Sequence, residues 1–276
     1  MSIQMNLFFH LKKFVHWVFG LLGLRILKAN TYELLLMNYK SRATEKLALI
    51  STFSKATNSK LLDLLPSSRS QLNQDLFVIA MLDFKKQGFF VEFGATDGIT
   101  LSNTYLLETQ FNWSGLLVEP ALNWHEALKR NRPDSMLDMR CVWSHSGEEI
   151  TFMEASDKEL STIYSFSKSD KHQRRNIRQY KVETISLNDL FMAYEAPSHI
   201  DFLSIDTEGS EFEILNSLDF DKYTFSIIVC EHNFTSKRED IYHLLTSNGY
   251  VRTLKNISDF DDWYISKNLS GQIRIT

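Results

Sequence analysis

Asp206, Glu208, Glu211 and Glu213 crowd the exit of an apolar run in IDFLSIDTEGSEFEIL, residues 200–215. Carboxylates placed there can take a proton, hold a divalent metal, or start a helix whose macrodipole favours negative charge. A second set, Glu231 and His232, ends the apolar run IIVCEH. If both runs are parallel strands of one sheet, their tips rise at the same edge. Asp206, Glu231 and His232 then meet although about 25 residues separate them. Near neutral pH an imidazole is able to accept a proton, so His232 or Asp206 suits a general base. The other design is a divalent metal, magnesium or manganese, held by Asp206, Glu231 and His232 to acidify a bound hydroxyl. The plainer alternative has Asp206 capping the next helix and His232 hydrogen-bonded in the structure. Glu211 and Glu213 fit that helix start, and Glu208 stays divided between the two roles.

A further site is readable in FFVEFGATDGIT, residues 89–100, where a buried strand pattern runs into Gly94 and Gly98. Gly94 lets backbone approach a ligand, and Gly98 permits a tight turn. A helix beginning near Ser102 and Asn103 would aim its amide groups at an anionic group. Some 25 residues beyond Gly94, GLLVEP ends in Glu119, an acid at a second strand tip that suits ribose hydroxyls. Together they point to a nucleoside-bearing cofactor. The glycine spacing is G-x-x-x-G rather than the G-x-G-x-x-G of dinucleotide sites, so the pyrophosphate turn is lacking. S-adenosylmethionine has a ribose and no phosphate, and its amino-acid end suits a glycine turn beside Glu92 or Asp97. The residues favour that methyl donor, with a nicotinamide-dependent oxidoreductase or epimerase as the rival.

The elements that must position these groups follow from hydrophobic periodicity. Residues 1–66 read as helical, and Pro66 with SSRS makes a break. Residues 67–276 alternate short apolar strands with helices. The strands are expected at GFFVEFG, GLLVEP, DMRCVW, ITFME, DFLSID, SIIVCEH, GYVRTL and DWYIS. Near-continuous apolar strands with helices between them predict an α/β, doubly wound, mainly parallel sheet. The last two strands lack a helix between them, which predicts an antiparallel edge hairpin. Between the third and fourth core strands, Lys171, Arg174, Arg175 and Arg178 share one face at helical spacing. That stripe is either a solvated helix face or a grip on an anionic acceptor.

Composition sets the outer limits. The 276 residues carry a net charge of -4, so no basic field recruits nucleic acid. Cys141 and Cys230 stand in apolar contexts and read as free thiols of a reducing, cytoplasmic compartment. Residues 8–28 are aromatic and basic, and the uncharged stretch 14–24 is too short to span a bilayer. An amphipathic helix lying on an anionic membrane surface, or packed on protein, is expected there.

Six segments, SQLNQDLFV, GFFVEFGATDGITLSNTYLLE, GLLVEP, VETISLNDL, DFLSIDTEGSEFEIL and IIVCEHN, come in the order seen in FkbM-type methyltransferases. The chain resembles that family from Ser70 to about Tyr250. The resemblance implies a class I, Rossmann-like methyltransferase sheet of seven strands. It also implies transfer of a methyl group from S-adenosylmethionine, usually to oxygen and commonly on a sugar or glycan. Its cofactor residues fall on Glu92, Gly94, Gly98 and Glu119, with Gln71, Gln74 and Asp75 before the first strand. Thr96, Asp97, Asn103 and Val142 complete the expected cofactor set. Thr96 departs from the family's usual Asn, and Ala121 stands after EP where Asn is common. A non-catalytic scaffold that keeps the fold is the rival of another class.

Overall fold

The computed structural model describes residue 44 and residues 47–155, 161–167 and 177–270. The chain divides into two units, Met1–Leu47 and Ala48–Thr276. The basic aromatic segment 8–28 lies outside the described residues. Among those described, no helix is long and apolar enough to cross a membrane. The boundary expected at residue 66 falls inside the second unit. There α1 (Lys55–Leu64) begins on a Ser54 side-chain cap and buries Leu61 in the same hydrophobic cluster as α2 (Gln74–Met81).

The second unit is built on a seven-stranded sheet. Its strands are β1 (Phe89–Phe93), β2 (Ser114–Val118), β3 (Met136–Asp138), β8 (His199–Ile205), β9 (Thr224–Glu231), β10 (Tyr250–Thr253) and β11 (Asp261–Ser266). They lie in the order β10-β11-β9-β8-β1-β2-β3. All neighbouring pairs from β9 to β3 are parallel, whereas β11 runs antiparallel to both β9 and β10. The hairpin expected at the end of the chain is therefore present, with β10 at the sheet edge.

Alternation along each strand covers both faces with apolar side chains. Val91, Phe93, Leu203, Ile205, Ile228 and Cys230 enter one cluster, and Phe90, Leu117, Phe202, Ile227 and Val229 the other. A sheet buried on both faces is what near-continuous apolar strands require. The helices α3 (Tyr105–Phe111), α4 (His125–Asn131), α5 (Leu187–Ala193), α6 (Glu211–Asn216) and α7 (Lys237–Ser247) follow the strands. The strand order reverses between β1 and β8, the place where such sheets open a crevice at their carboxyl ends.

Three expectations need correction. DMRCVW is not one strand: β3 stops at Asp138, and β4 (Cys141–Trp143) belongs to a second sheet. Asp138 turns the chain by accepting the Arg140 N–H at 2.8 Å and pairing with its guanidinium at 2.5 Å. The second sheet has the order β4-β7-β5-β6, with β5 (Glu149–Glu154), β6 (Thr162–Ile163) and β7 (Arg178–Ser186). So ITFME leaves the main sheet, and seven strands remain there. Arg178 begins β7 rather than sharing a helix face. Lys171, Arg174 and Arg175 lie outside the described residues.

Candidate functional site

At the carboxyl ends of β1, β2, β8 and β9 a cavity of about 210 Å³ opens. Two backbone devices shape its rim. Gly94 leaves β1 at φ +72°, and a Cβ there would meet the Asp206 carbonyl oxygen at 2.2 Å. Its close approach is thus to the neighbouring strand end, and this sets the two tips side by side. Gly98, at φ +79°, turns the loop under Leu128 and Arg132.

Glu92, Gly94, Thr96, Asn103, Glu119 and Val142 line the cavity, as do Gln71 and Gln74. Three expected cofactor residues do not. Asp75 is fully buried and holds the turn before α2, accepting from Ser68 Oγ at 2.7 Å and the Arg69 N–H at 3.1 Å. Asp97 closes its own turn on the Ile99 and Thr100 amides at 2.8 and 2.7 Å. Gly98 shapes the loop from behind. The amides expected to face an anionic ligand are also otherwise engaged. Glu92 accepts the Asn103 N–H at 2.6 Å and the Ser102 and Thr104 hydroxyls at 2.9 and 2.5 Å. Burial raises the Glu92 pKa, and the Arg132 guanidinium opposes that rise.

What remains pointed at the cavity is more selective. Asn103 donates through Nδ2 to Ser204 Oγ at 2.9 Å, and its Oδ1 is buried without a hydrogen-bond partner among the described residues. Glu119 accepts one N–H on each carboxylate oxygen, from Thr96 and from Ala121, both at 2.8 Å. Each oxygen keeps acceptor capacity. Burial pushes the Glu119 pKa up to about 7. Thr96 takes φ +47°, a conformation in which Asn is at home and Thr is strained. Cys141, Val142, Phe152 and Ile163 give the cavity an apolar wall, supplied by the second sheet.

The strand-tip carboxylates line the same cavity. Asp206, Glu208 and Glu231 each bring one oxygen within 4.8 Å of the others. Glu208 sits at φ +58° in the loop after β8, and its carbonyl accepts the Thr162 hydroxyl at 2.9 Å. Glu231 is 7% exposed, and burial followed by the Asp206 and Glu208 charges raises its pKa. Glu211 takes no part: its Oε1 accepts the Thr207 and Gly209 amides at 3.0 Å, tying the loop to the start of α6. Glu213 pairs with Lys237 at 3.4 Å.

His232 is corrected. It does not line the cavity, and both ring nitrogens are occupied. Nδ1 accepts the Phe234 N–H at 3.0 Å, which leaves the proton on Nε2 to donate to the Asp261 carbonyl at 3.1 Å. Burial lowers its pKa to about 4. The structure gives it a structural place, hydrogen-bonded beside the cavity rather than lining it. Asp261 is the acid that the linear pattern concealed. It opens β11 in register with Glu231, lines the cavity, and accepts from Gln74 Nε2 at 2.8 Å. Its signal was the pair Asp261–Asp262 immediately before an apolar strand. Only the antiparallel pairing of that strand with β9 brings it to the site.

Comparison with known proteins identifies a family. The Methyltransferase FkbM domain model matches residues 92–256. No protein of curated function matches the sequence. Among solved structures, methyltransferase FkbM from Methylobacillus flagellatus aligns at 12% identity and a TM-score of 0.44, over 82% of this chain and 59% of that one. The chain thus spans less than two thirds of that relative. A TehB-like SAM-dependent methyltransferase from Corynebacterium glutamicum aligns at 8% identity and TM-score 0.36, over 76% and 95% of the two chains. Precorrin-6y C5,15-methyltransferase from Geobacter metallireducens gives 10% identity and TM-score 0.37, over 69% and 85%. Family membership rests on the domain match.

Proposed function

Because the chain belongs to the FkbM methyltransferase domain family, we propose that it moves a methyl group from S-adenosylmethionine to a sugar hydroxyl. The residues present suit that donor. Asn103 Oδ1 offers a buried acceptor for its ammonium group. Glu119 offers acceptor capacity for its ribose hydroxyls, and Val142, Phe152 and Ile163 offer an apolar cover for its base. Bound there, S-adenosylmethionine supplies an already activated methyl on a sulfonium centre.

The chain has two tasks left: to align the acceptor oxygen and to receive its proton. Asp206 is the most accessible of the three clustered carboxylates. It lines the cavity, and we assign it the proton. Burial, with the Asp206 and Glu208 charges beside it, holds Glu231 above the ordinary carboxylate range. The observation that carries this reading is that the carboxylate cluster lines the same cavity as Asn103 and Glu119. A sugar acceptor is favoured by the family resemblance, and the carboxylate cluster offers a proton acceptor for its hydroxyl.

Calorimetry with S-adenosylmethionine and with NAD tests the donor, and binding of NAD alone would overturn this reading. Mass spectrometry of cell-surface and extracted glycans, with and without the active protein, tests the acceptor. The expected result is loss of one O-methyl group per acceptor when Asp206 is replaced.

A further inference from the structure

We infer that Asp206, Glu208 and Glu231 form a site for one divalent cation, Mg²⁺ or Mn²⁺, inside the cavity. The inference rests on reading that cavity as the methyl-transfer site. The three side chains come from different local settings: the end of β8, the loop after it, and the end of β9. Each nonetheless brings one oxygen within 4.8 Å of the other two. Oxygens about 2.1 Å from a common ion stand at most about 4.2 Å apart, so small side-chain rotations close the set on such an ion.

A cluster of acids alone would be unremarkable on a protein surface. The second observation is Glu231. It lines the cavity, is more than nine-tenths buried, and its Oε2 has no hydrogen-bond partner among the described residues. An unpaired carboxylate oxygen in a buried site is costly unless a cation meets it. The β9–β11 pairing fixes the backbone from which Glu231 projects. Thr162 likewise anchors the main chain of Glu208 by donating to its carbonyl.

The donor set is all oxygen, since His232 spends both nitrogens elsewhere. Hard carboxylate ligands suit Mg²⁺ or Mn²⁺ and disfavour zinc. Such an ion would orient the acceptor hydroxyl and lower its pKa, which deepens the role given above to the carboxylates. The competing occupant of the same acids is the ammonium group of the methyl donor.

Mn²⁺ binding to the full chain, read by loss of the free-ion electron paramagnetic resonance signal, tests the site, with calorimetry of S-adenosylmethionine run in parallel. The expected result is saturable binding of one Mn²⁺ per chain, displaced by Mg²⁺. Glu231→Gln should weaken Mn²⁺ at least about ten-fold, as even outer-shell changes do at metal sites. Glu208→Gln is the second variant if the first fails to fold. Glu213→Gln, outside the cavity, should bind as wild type. Absence of saturable Mn²⁺ binding while S-adenosylmethionine still binds overturns the cation site alone. The same holds if Glu231→Gln loses the methyl donor but not Mn²⁺. Failure to bind either one overturns the reading of the cavity as well.

Discussion

Gly94 and Asp206 meet backbone to backbone: a Cβ on Gly94 would lie 2.2 Å from the Asp206 carbonyl oxygen. The contact joins the two halves of the site, because Gly94 begins the cofactor loop and Asp206 begins the carboxylate cluster.

Gly94→Ala should therefore damage both halves. It adds a left-handed alanine and a collision with backbone that no side-chain motion relieves. A cost of at least about 2 kcal/mol follows, or a melting temperature lower by about 4–8 °C in a domain of this size. Thermal denaturation and S-adenosylmethionine calorimetry check it. A variant that melts and binds like wild type would remove the strand-tip contact from the account.

Asp206→Asn should separate chemistry from binding. Loss of a positioned proton acceptor lowers turnover about 10²- to 10⁴-fold. Affinity for the methyl donor should stay within about three-fold, because the donor's ribose and ammonium partners are elsewhere. An equal loss of affinity and turnover would move Asp206 into the cofactor site.

Glu119→Gln should do the reverse. A neutral amide cannot accept from both Thr96 and Ala121 and still serve ribose hydroxyls. Above about pH 7, where Glu119 is ionised, hydrogen bonds to a charged acceptor are worth about 1.5–3 kcal/mol each, so affinity should fall about ten-fold or more there. Thermal shift in the presence of S-adenosylmethionine measures it.

His232→Ala should cost stability rather than catalysis. It strands the buried Asp261 carbonyl, at about 1–3 kcal/mol, and removes the acceptor of the part-buried Phe234 N–H. The folded variant, assayed below its melting temperature, should keep turnover within about ten-fold of wild type. A thousand-fold loss in a folded variant would restore His232 as base.

The ligand-free protein should lose stability as pH rises above neutrality. Burial lifts Glu119 from 4.5 to about 7 and Asp261 from 3.8 to about 8. The folded protein keeps these protons where the unfolded chain has released them. That stability is full below the unfolded pKa values and is lost as pH climbs through about 7 and 8. His232 runs the other way, from 6.5 down to about 4, and is largely neutral in both states above about 6.5. Melting temperatures taken upward from about pH 6.5 should therefore fall, and Glu119→Gln should flatten the slope. A rising curve would contradict the protonated carboxyls.

Hydrophobic patterning and the order of the motifs were enough to read the sheet, the family and one edge of the site. Apolar strands with period-two burial on both faces can pack only as a covered parallel sheet, so Glu119, Asp206 and Glu231 had to surface together at its carboxyl edge. Gly94 and Asn103 were legible because short-range turn chemistry places them next to a strand end. The tertiary structure decided which carboxylates meet. Glu208 joins the cluster through a left-handed loop residue, while Glu211, three positions on, turns back to the helix start. His232, adjacent to Glu231 in sequence, is drawn off the cavity by the Asp261 carbonyl, and Asp261 itself enters through the register of β11 on β9. Side chains at successive positions leave a strand on opposite sides, so adjacency in sequence cannot say which one faces the ligand. Pairings made across 30 residues of chain decide it.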